Sequence, residues 1–334
     1  MIRSYIRGTG SYLPPRVVSN EDLAQLLPTT DEWIKTRTGI EERRFAEEGV
    51  SCSDLAYEAS RAALSDSGIE SSEIDLIIFA TLSPDHHFPG TGCYLQAKLS
   101  HLGVRTIGCL DVRNQCTGFL YSLSIADAYI RAGIYSNILI VGSEVHSSAL
   151  DFSEQGRDVA VLFGDGAGAV ILSRYEGDRR GIISTELHAD GHYAKALCLD
   201  LWDISRKPYI SGESLTNGDM WPRMDGRSVF RHAVTGLTGL CQTTLSRAKY
   251  EIGDLKYVIP HQANLRINQA VAERLGIPDN KVLNNIQKYA NTTSASIPIL
   301  LDEAHKSGML DEGDLLLLLA FGSGFTWASA LLRW

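Results

Sequence analysis

Short motifs recur in the same order in the two halves of this 334-residue chain, and that recurrence limits its fold more than any single segment does. In the first half a helical pattern ends in Gly68-Ile69-Glu70, then Glu73-Ile74-Asp75, and an apolar run at 76–82 follows. In the second, a helical pattern over about 228–249 ends in Tyr250-Glu251-Ile252-Gly253-Asp254-Leu255, and the run 257–260 follows. Cys116 opens a helical pattern that precedes the strand-like run 138–141, and Asn291 opens one that precedes 315–319. Phe163-Gly164-Asp165-Gly166 leads into the apolar 169–173, as Phe321-Gly322-Ser323-Gly324 leads into 328–332. Echoes in matching order predict a duplicated α/β unit. Residues 1–174 form one half and 224–334 the other, with 175–223 as a connecting excursion. On that reading the helix starts at Cys116 and Asn291 are counterparts, and their N-termini converge on one site.

Local signals fit this frame. The continuous apolar run 74–82 reads as a strand covered on both faces, as in a central α/β sheet. Asn20 is placed to cap a helix over 21–27, and Ser51 to Asp54 to cap an alanine-rich helix ending at Gly68. A strand over 2–8 leads to Gly8-Thr9-Gly10-Ser11-Tyr12-Leu13-Pro14, which starts like a dinucleotide fingerprint but lacks the third glycine and the helix. Residues 198–222 carry Trp202, Tyr209 and Trp221 without periodicity, the texture of a lid, a pocket wall or a surface insertion.

Composition removes several function classes. The net charge is −9 with scattered basic residues, so nucleic acid is not an expected partner. No eighteen-residue apolar window predicts a membrane span, and the N-terminal residues lack the pattern of a secretion signal. Six cysteines without paired spacing predict reduced thiols in a cytoplasmic protein and no zinc or other metal site.

Three residues stand out for chemistry. Cys116 sits at an expected strand-to-helix junction, where unpaired N–H groups and the helix dipole favour thiolate, although a lone cysteine is as readily a small buried residue. His261 ends an apolar strand, at the edge where α/β ligand sites gather. Asn291 opens a helix, where Asn is also an ordinary cap. Each is unremarkable alone, and the set occupies matching places in two halves. Cys, His and Asn in this order suit thiol hydrolysis, as in papain-like enzymes, or acyl transfer and carbon–carbon condensation on cysteine. The Gly322-Ser323-Gly324 loop suits close backbone approach to a ligand. The adjacent His86 and His87 lack further ligands and read as loop residues.

At this point the chain resembles the β-ketoacyl-ACP synthase III family, of the thiolase fold. The resemblance rests on Gly8 to Pro14, Asp31-Glu32-Trp33-Ile34, Arg37-Thr38-Gly39-Ile40, Phe163 to Ala169, Pro260-His261-Gln262-Ala263-Asn264-Leu265-Arg266-Ile267, Asn291-Thr292 with Ala295-Ser296, and Phe321 to Trp327. It implies two α/β halves stacked in five layers, and a homodimer. It implies that Cys116 takes an acyl group from acyl-CoA, while His261 and Asn291 hold the enolate formed as malonyl-ACP, or malonyl-CoA, loses CO2. The N–H groups of Cys116 and Ser323 would form the oxyanion hole, with Ser323 where the family carries glycine. Trp33, Arg37 and Arg157 match CoA-binding positions, Arg266 a carrier-protein docking position, and Phe88 an acyl-pocket position across the dimer interface. No cofactor is implied beyond these substrates. Arg113-Asn114-Gln115 before the nucleophile, the 81–87 segment and the 198–222 excursion are also similar to synthase-III-like enzymes of quinolone and other secondary metabolism. That leaves such a relative, condensing or transferring acyl groups, and a silent scaffold, as alternatives.

Overall fold

The computed structural model describes residues 2–334. Two sheets carry the architecture. In the first, strands run in the order Ile2–Tyr12, Gly166–Glu176, Asn137–Glu144, Leu76–Ala80, Gly108–Val112. In the second the order is Gly181–Ala189, Thr326–Arg333, Leu315–Gly322, Tyr257–Pro260. The pairing senses correspond: antiparallel, antiparallel, then parallel when each sheet is taken in that order. The first sheet adds one more parallel strand, Gly108–Val112. Its counterpart in the second half is reduced to one parallel bridge between Val258 and Val282.

This topology shows an echo that periodicity did not reveal. Gly181–Ala189 lies in the stretch read as connector, yet it forms the edge strand of the second sheet, in the place Ile2–Tyr12 takes in the first. The rest of that stretch is the excursion proper. Two short strands, Leu197–Cys198 and Arg223–Met224, clamp its base. Between them only Ser214 is buried. Ion pairs of Arg206 with Asp203 and Asp219, and of Arg223 with Asp200, hold it where little apolar surface does.

Five layers follow from which faces are apolar. Helices Gly118–Arg131 and Ser296–Lys306 lie between the sheets. Cys52–Ser67 and Thr91–Leu99 cover the outside of the first sheet, and Gly226–Ala248 with Leu265–Leu275 the outside of the second. The strands alternate accordingly. Ile138 and Ile140 face the middle helices while Leu139 and Val141 face Cys52–Ser67. Leu316 and Leu318 face inward, and Leu315, Leu317 and Leu319 outward. Both faces of the central strands are covered, hence the unbroken apolar runs. Each such side chain contributes about 1.5–3 kcal/mol on burial.

The glycines that imitate a nucleotide fingerprint serve packing instead. A Cβ at Gly10 would stand 2.3 Å from the carbonyl oxygen of Ala59, and one at Gly8 2.5 Å from Ser67 N. Only bare backbone lets Ile2–Tyr12 lie this close to helix Cys52–Ser67. That helix is capped as expected, by Ser51 with a reciprocal Asp54 bond, and ends at left-handed Gly68. The first helix differs: Ser19 is its cap. Asn20 is buried and donates to Asp31 and the Ile40 carbonyl, an inward role that leaves the capping to its neighbour.

Candidate active site

A cavity of about 700 Å³ runs in from the surface between helices Gly226–Ala248, Leu265–Leu275 and Asp31–Thr38. Cys116, His261 and Asn291 all line it. They arrive on separate elements, one from the first half and two from the second.

Cys116 stands in a single 3-10 turn, Gln115–Thr117, that leads into middle helix Gly118–Arg131. Asn291 precedes the matching turn, Thr293–Ala295, that leads into Ser296–Lys306. Gln115 has φ 46° and Thr293 φ 47°, left-handed values that a β-branched threonine adopts only under constraint. By this register the residue matching Cys116 is Ser294, and Asn291 lies three positions earlier.

Burial governs the electrostatics of the cysteine. The Cys116 thiol is pushed up to about 12 by loss of water, with the nearby Glu144 carboxylate adding to the effect. The expected thiolate is therefore a thiol at rest. A turn of 3-10 helix separates it from the α-helix start, and a backbone hydrogen bond at Cys116 only partly opposes the burial. Gly322 presses on it: a Cβ there would lie 2.8 Å from Cys116 Cβ. The close approach of the Gly322-Ser323-Gly324 loop is thus to the cysteine itself. Thr117 joins the same turn to the second sheet through a 2.9 Å bond to Thr326.

His261 is fixed at two points. Its backbone N–H donates to the Leu319 carbonyl at 2.7 Å and its Nδ1 lies 2.7 Å from Ser296 Oγ, while its buried Nε2 has no partner among the described residues. Burial drops its pKa to about 3, so the ring is neutral at any ordinary pH. Asn291 is clamped by the first half: its N–H donates to the Leu162 carbonyl and its carbonyl accepts Gly164 N–H. Its side-chain oxygen accepts Thr293 N–H at 2.8 Å. The free end of that amide is then Nδ2, which can only donate. A thiol, a neutral imidazole and an amide donor on one buried wall can receive an acyl group and hold an oxyanion.

Behind this wall lies a filled polar cluster. The fully buried Glu144 carboxylate accepts from Thr81, from Leu82 N–H, from Ser83 and, at 2.8 Å, from Ser294 Oγ. His146, lowered to about 4 by burial, bonds Thr293 Oγ1 at 2.7 Å.

Of the other expected residues, Trp33, Arg37 and Arg266 line the cavity. Arg37 and Arg157 both place guanidinium groups over the Trp33 indole, at 4.6 and 4.7 Å from the ring centroid. Arg157 is not among the cavity-lining residues, and Gly322 rather than Ser323 is. Phe88 is 80% exposed on a surface loop and does not line the cavity of its own chain. Sequence reasoning gave no role to Thr293, Ser296 or Glu144, since serine and threonine at a helix start look like ordinary caps. Among the described residues no helix is long and apolar enough to cross a membrane, and no cluster of three or more His, Cys, Asp or Glu forms a metal-ligand set.

The chain is similar to proteins of one family throughout its length. Family models of 3-oxoacyl-[acyl-carrier-protein] synthase III match residues 110–191, and of the C-terminal region of the same enzymes residues 245–334. A β-ketoacyl-[acyl-carrier-protein] synthase III of Xanthomonas axonopodis pv. citri is 46% identical over 333 residues, covering 100% of this chain and 99% of that protein. The crystal structure of 3-oxoacyl-[acyl-carrier-protein] synthase III from Aquifex aeolicus superimposes with a TM-score of 0.90 at 42% identity, over 99% of this chain and 100% of that one. The priming β-ketosynthase of a polyketide biosynthetic pathway superimposes at 0.89 with 34% identity, over 99% of this chain and 96% of that one. With identity at this level across the whole chain, the protein belongs to the β-ketoacyl-[acyl-carrier-protein] synthase III family.

Proposed function

We propose that this protein is a condensing acyltransferase that starts fatty acid synthesis, joining an acyl group held on Cys116 to a malonyl unit carried by acyl carrier protein. The observation that carries the reading is the meeting of Cys116, His261 and Asn291 on one cavity wall. Cys116 Sγ attacks the acyl-CoA thioester carbon; the bond to the CoA sulfur breaks, and CoA leaves with the thiol proton. The N–H groups of Cys116 and Ser323 hold the oxyanion of that step. The malonyl thioester then enters. Its carboxylate leaves as CO2, and the electron pair moves onto the thioester oxygen as an enolate bonded by Asn291 Nδ2–H and His261 Nε2–H. The enolate carbon attacks the acyl carbonyl, and the Cys116 sulfur leaves and regains a proton.

The remaining residues serve binding in this proposal. Trp33, Arg37 and Arg157 take the CoA nucleotide, by stacking and phosphate pairing. Arg266, exposed at the cavity rim, meets the acidic carrier protein. Phe88 reaches the acyl pocket of a second copy, so the working unit is a homodimer; its 80% exposure in one chain supports that role. No cofactor is required, and the reaction takes place in the cytoplasm. The excursion 198–222 and Arg113-Asn114-Gln115 set the acyl preference. A second reading, a priming synthase of secondary metabolism, is favoured by the polyketide-pathway neighbour.

The test is incubation with a panel of acyl-CoAs and malonyl-ACP, with the cysteine adduct followed by intact mass. His261→Ala and Asn291→Ala acylate normally but condense slower by a factor of about 10²–10³, the usual cost of an oxyanion donor. Robust condensation by Cys116→Ala ends the proposal. Strong preference for acetyl-CoA excludes the second reading.

A further inference from the structure

Enolate stabilisation requires His261 to present Nε2 as N–H, but a neutral imidazole carries its proton on either nitrogen. Something must choose. Burial to 4% exposure keeps bulk water from Nδ1, and among the described residues the only side-chain partner there is the Ser296 hydroxyl at 2.7 Å.

We propose that Ser296 is the positioning residue that selects the Nε2–H tautomer of His261, by donating its hydroxyl proton to Nδ1. This rests on the condensing role of His261 proposed above. Three observations support the direction of the bond. Ser296 Oγ lies 2.7 Å from Nδ1 and 3.1 Å from the Thr293 carbonyl, so the ring nitrogen is the nearer acceptor for its proton. The same hydroxyl can also donate to the Thr293 carbonyl at 3.1 Å, the longer of the two contacts and one whose acceptor already receives Ser296 N–H. Gln262 N–H points at Ser296 Oγ from 3.4 Å and suits its lone pair, leaving its proton for the ring.

The helix start does not depend on the hydroxyl. The cap position of its helix is Ala295, which makes no side-chain capping bond. In the other half the first residue of the matching helix is Gly118, so a middle helix starts there without any side chain. Ser296 is 2% exposed and Gln262 is fully buried, the latter held by bonds to Pro260, Asn285 and Ile286, so the donor and its neighbour are fixed before substrate arrives. One turn thereby sets both enolate donors: Thr293 N–H fixes which end of Asn291 is free, and Ser296, three residues on, fixes which nitrogen of His261 is protonated.

The test separates the two half-reactions in wild type, Ser296→Ala and Ser296→Thr. In Ser296→Ala, acylation of Cys116 by acyl-CoA stays at the wild-type rate. Decarboxylative condensation falls roughly three- to tenfold, the factor carried by one neutral hydrogen bond, in kcat rather than in KM for malonyl-ACP. Ser296→Thr, which keeps the hydroxyl, recovers condensation. Nitrogen NMR of histidine-labelled protein, with His261 assigned by its absence in His261→Ala, shows a protonated Nε2 in wild type and a mixed or Nδ1–H ring in Ser296→Ala. Wild-type condensation by Ser296→Ala, equal losses in both half-reactions, or an unaltered His261 spectrum overturns the inference. Failure of wild type to condense at all is a different result and overturns the underlying function instead.

Discussion

Replacing Gly322 with alanine tests the claim that backbone shape, not a side chain, seats the nucleophile. The added Cβ would stand 2.8 Å from Cys116 Cβ, 3.3 Å from its N and 3.4 Å from its Cα. Ordinary contact begins at 3.4 Å, so the two strands of backbone must part by at least the difference, 3.4 − 2.8 = 0.6 Å. Neither side yields easily. Gly322 ends a strand paired on both edges, and the Cys116 turn is tied to Thr326 through Thr117. Overpacking of this kind costs about 1–3 kcal/mol, which lowers the melting temperature by about 2 °C per kcal/mol in a chain of this size. Activity suffers more. A misplacement of about 1 Å can cost a factor of ~10², so a shift near 0.6 Å should slow cysteine acylation by about tenfold. The assay is the rate of adduct formation by intact mass, beside a thermal melt. Gly239→Ala is the control, since a Cβ there meets nothing within 4 Å and the site is helical; it should leave acylation unchanged and raise the melting temperature slightly. A Gly322→Ala protein that acylates and melts like wild type refutes the reasoning.

Two further outcomes concern pH. With the Cys116 thiol near 12, its alkylation by iodoacetamide, read by peptide mapping, should rise about tenfold per pH unit from 7 to 10; a plateau near neutrality would mean a stabilised thiolate. His261 near 3 is the opposite case, a base whose charged form is disfavoured by folding. The unfolded chain takes up its proton below about 6.5 and the folded one does not, so stability is lost as pH falls through that range. At pH 5 the loss is about 2 kcal/mol, 1.5 units at about 1.36 kcal/mol each. His261→Gln should flatten the acid limb of the melting curve by that amount, and an equally steep limb in the variant contradicts it.

Much of the architecture was legible because duplication repeats its signals. The apolar runs at 74–82, 138–141 and 315–319 could be read as strands, the first as one covered on both faces, and the Ser51 and Gly68 signals bounded a helix correctly. Gly181–Ala189 escaped because an edge strand is half polar, with only its first two residues buried, and so gives no apolar run. The Cys116–Asn291 correspondence was right for helices and three residues off for side chains. Backbone angles, which motif spacing does not carry, set the register at Gln115 and Thr293. The state of the thiol was misjudged for a similar reason: a helix start is visible in sequence, whereas the water excluded from it is a property of five packed layers. The roles of Ser296 and Thr293 depend on which atoms they meet 35 and 147 residues away.

Ser294, the positional twin of Cys116, bears on how such a molecule can change. Its hydroxyl lies within bonding distance of both the Glu144 carboxylate and the Ala80 carbonyl, and that carboxylate also gathers the Thr81-Leu82-Ser83 loop of the opposite half. The twin site is therefore occupied by a rivet between halves, with Ser294 itself buried. A cysteine introduced there would gain no second reactive centre and would strip a donor from a buried carboxylate. Of two equivalent helix starts, one fastens the halves together and the other faces the cavity, so a change at the second leaves the fastening intact.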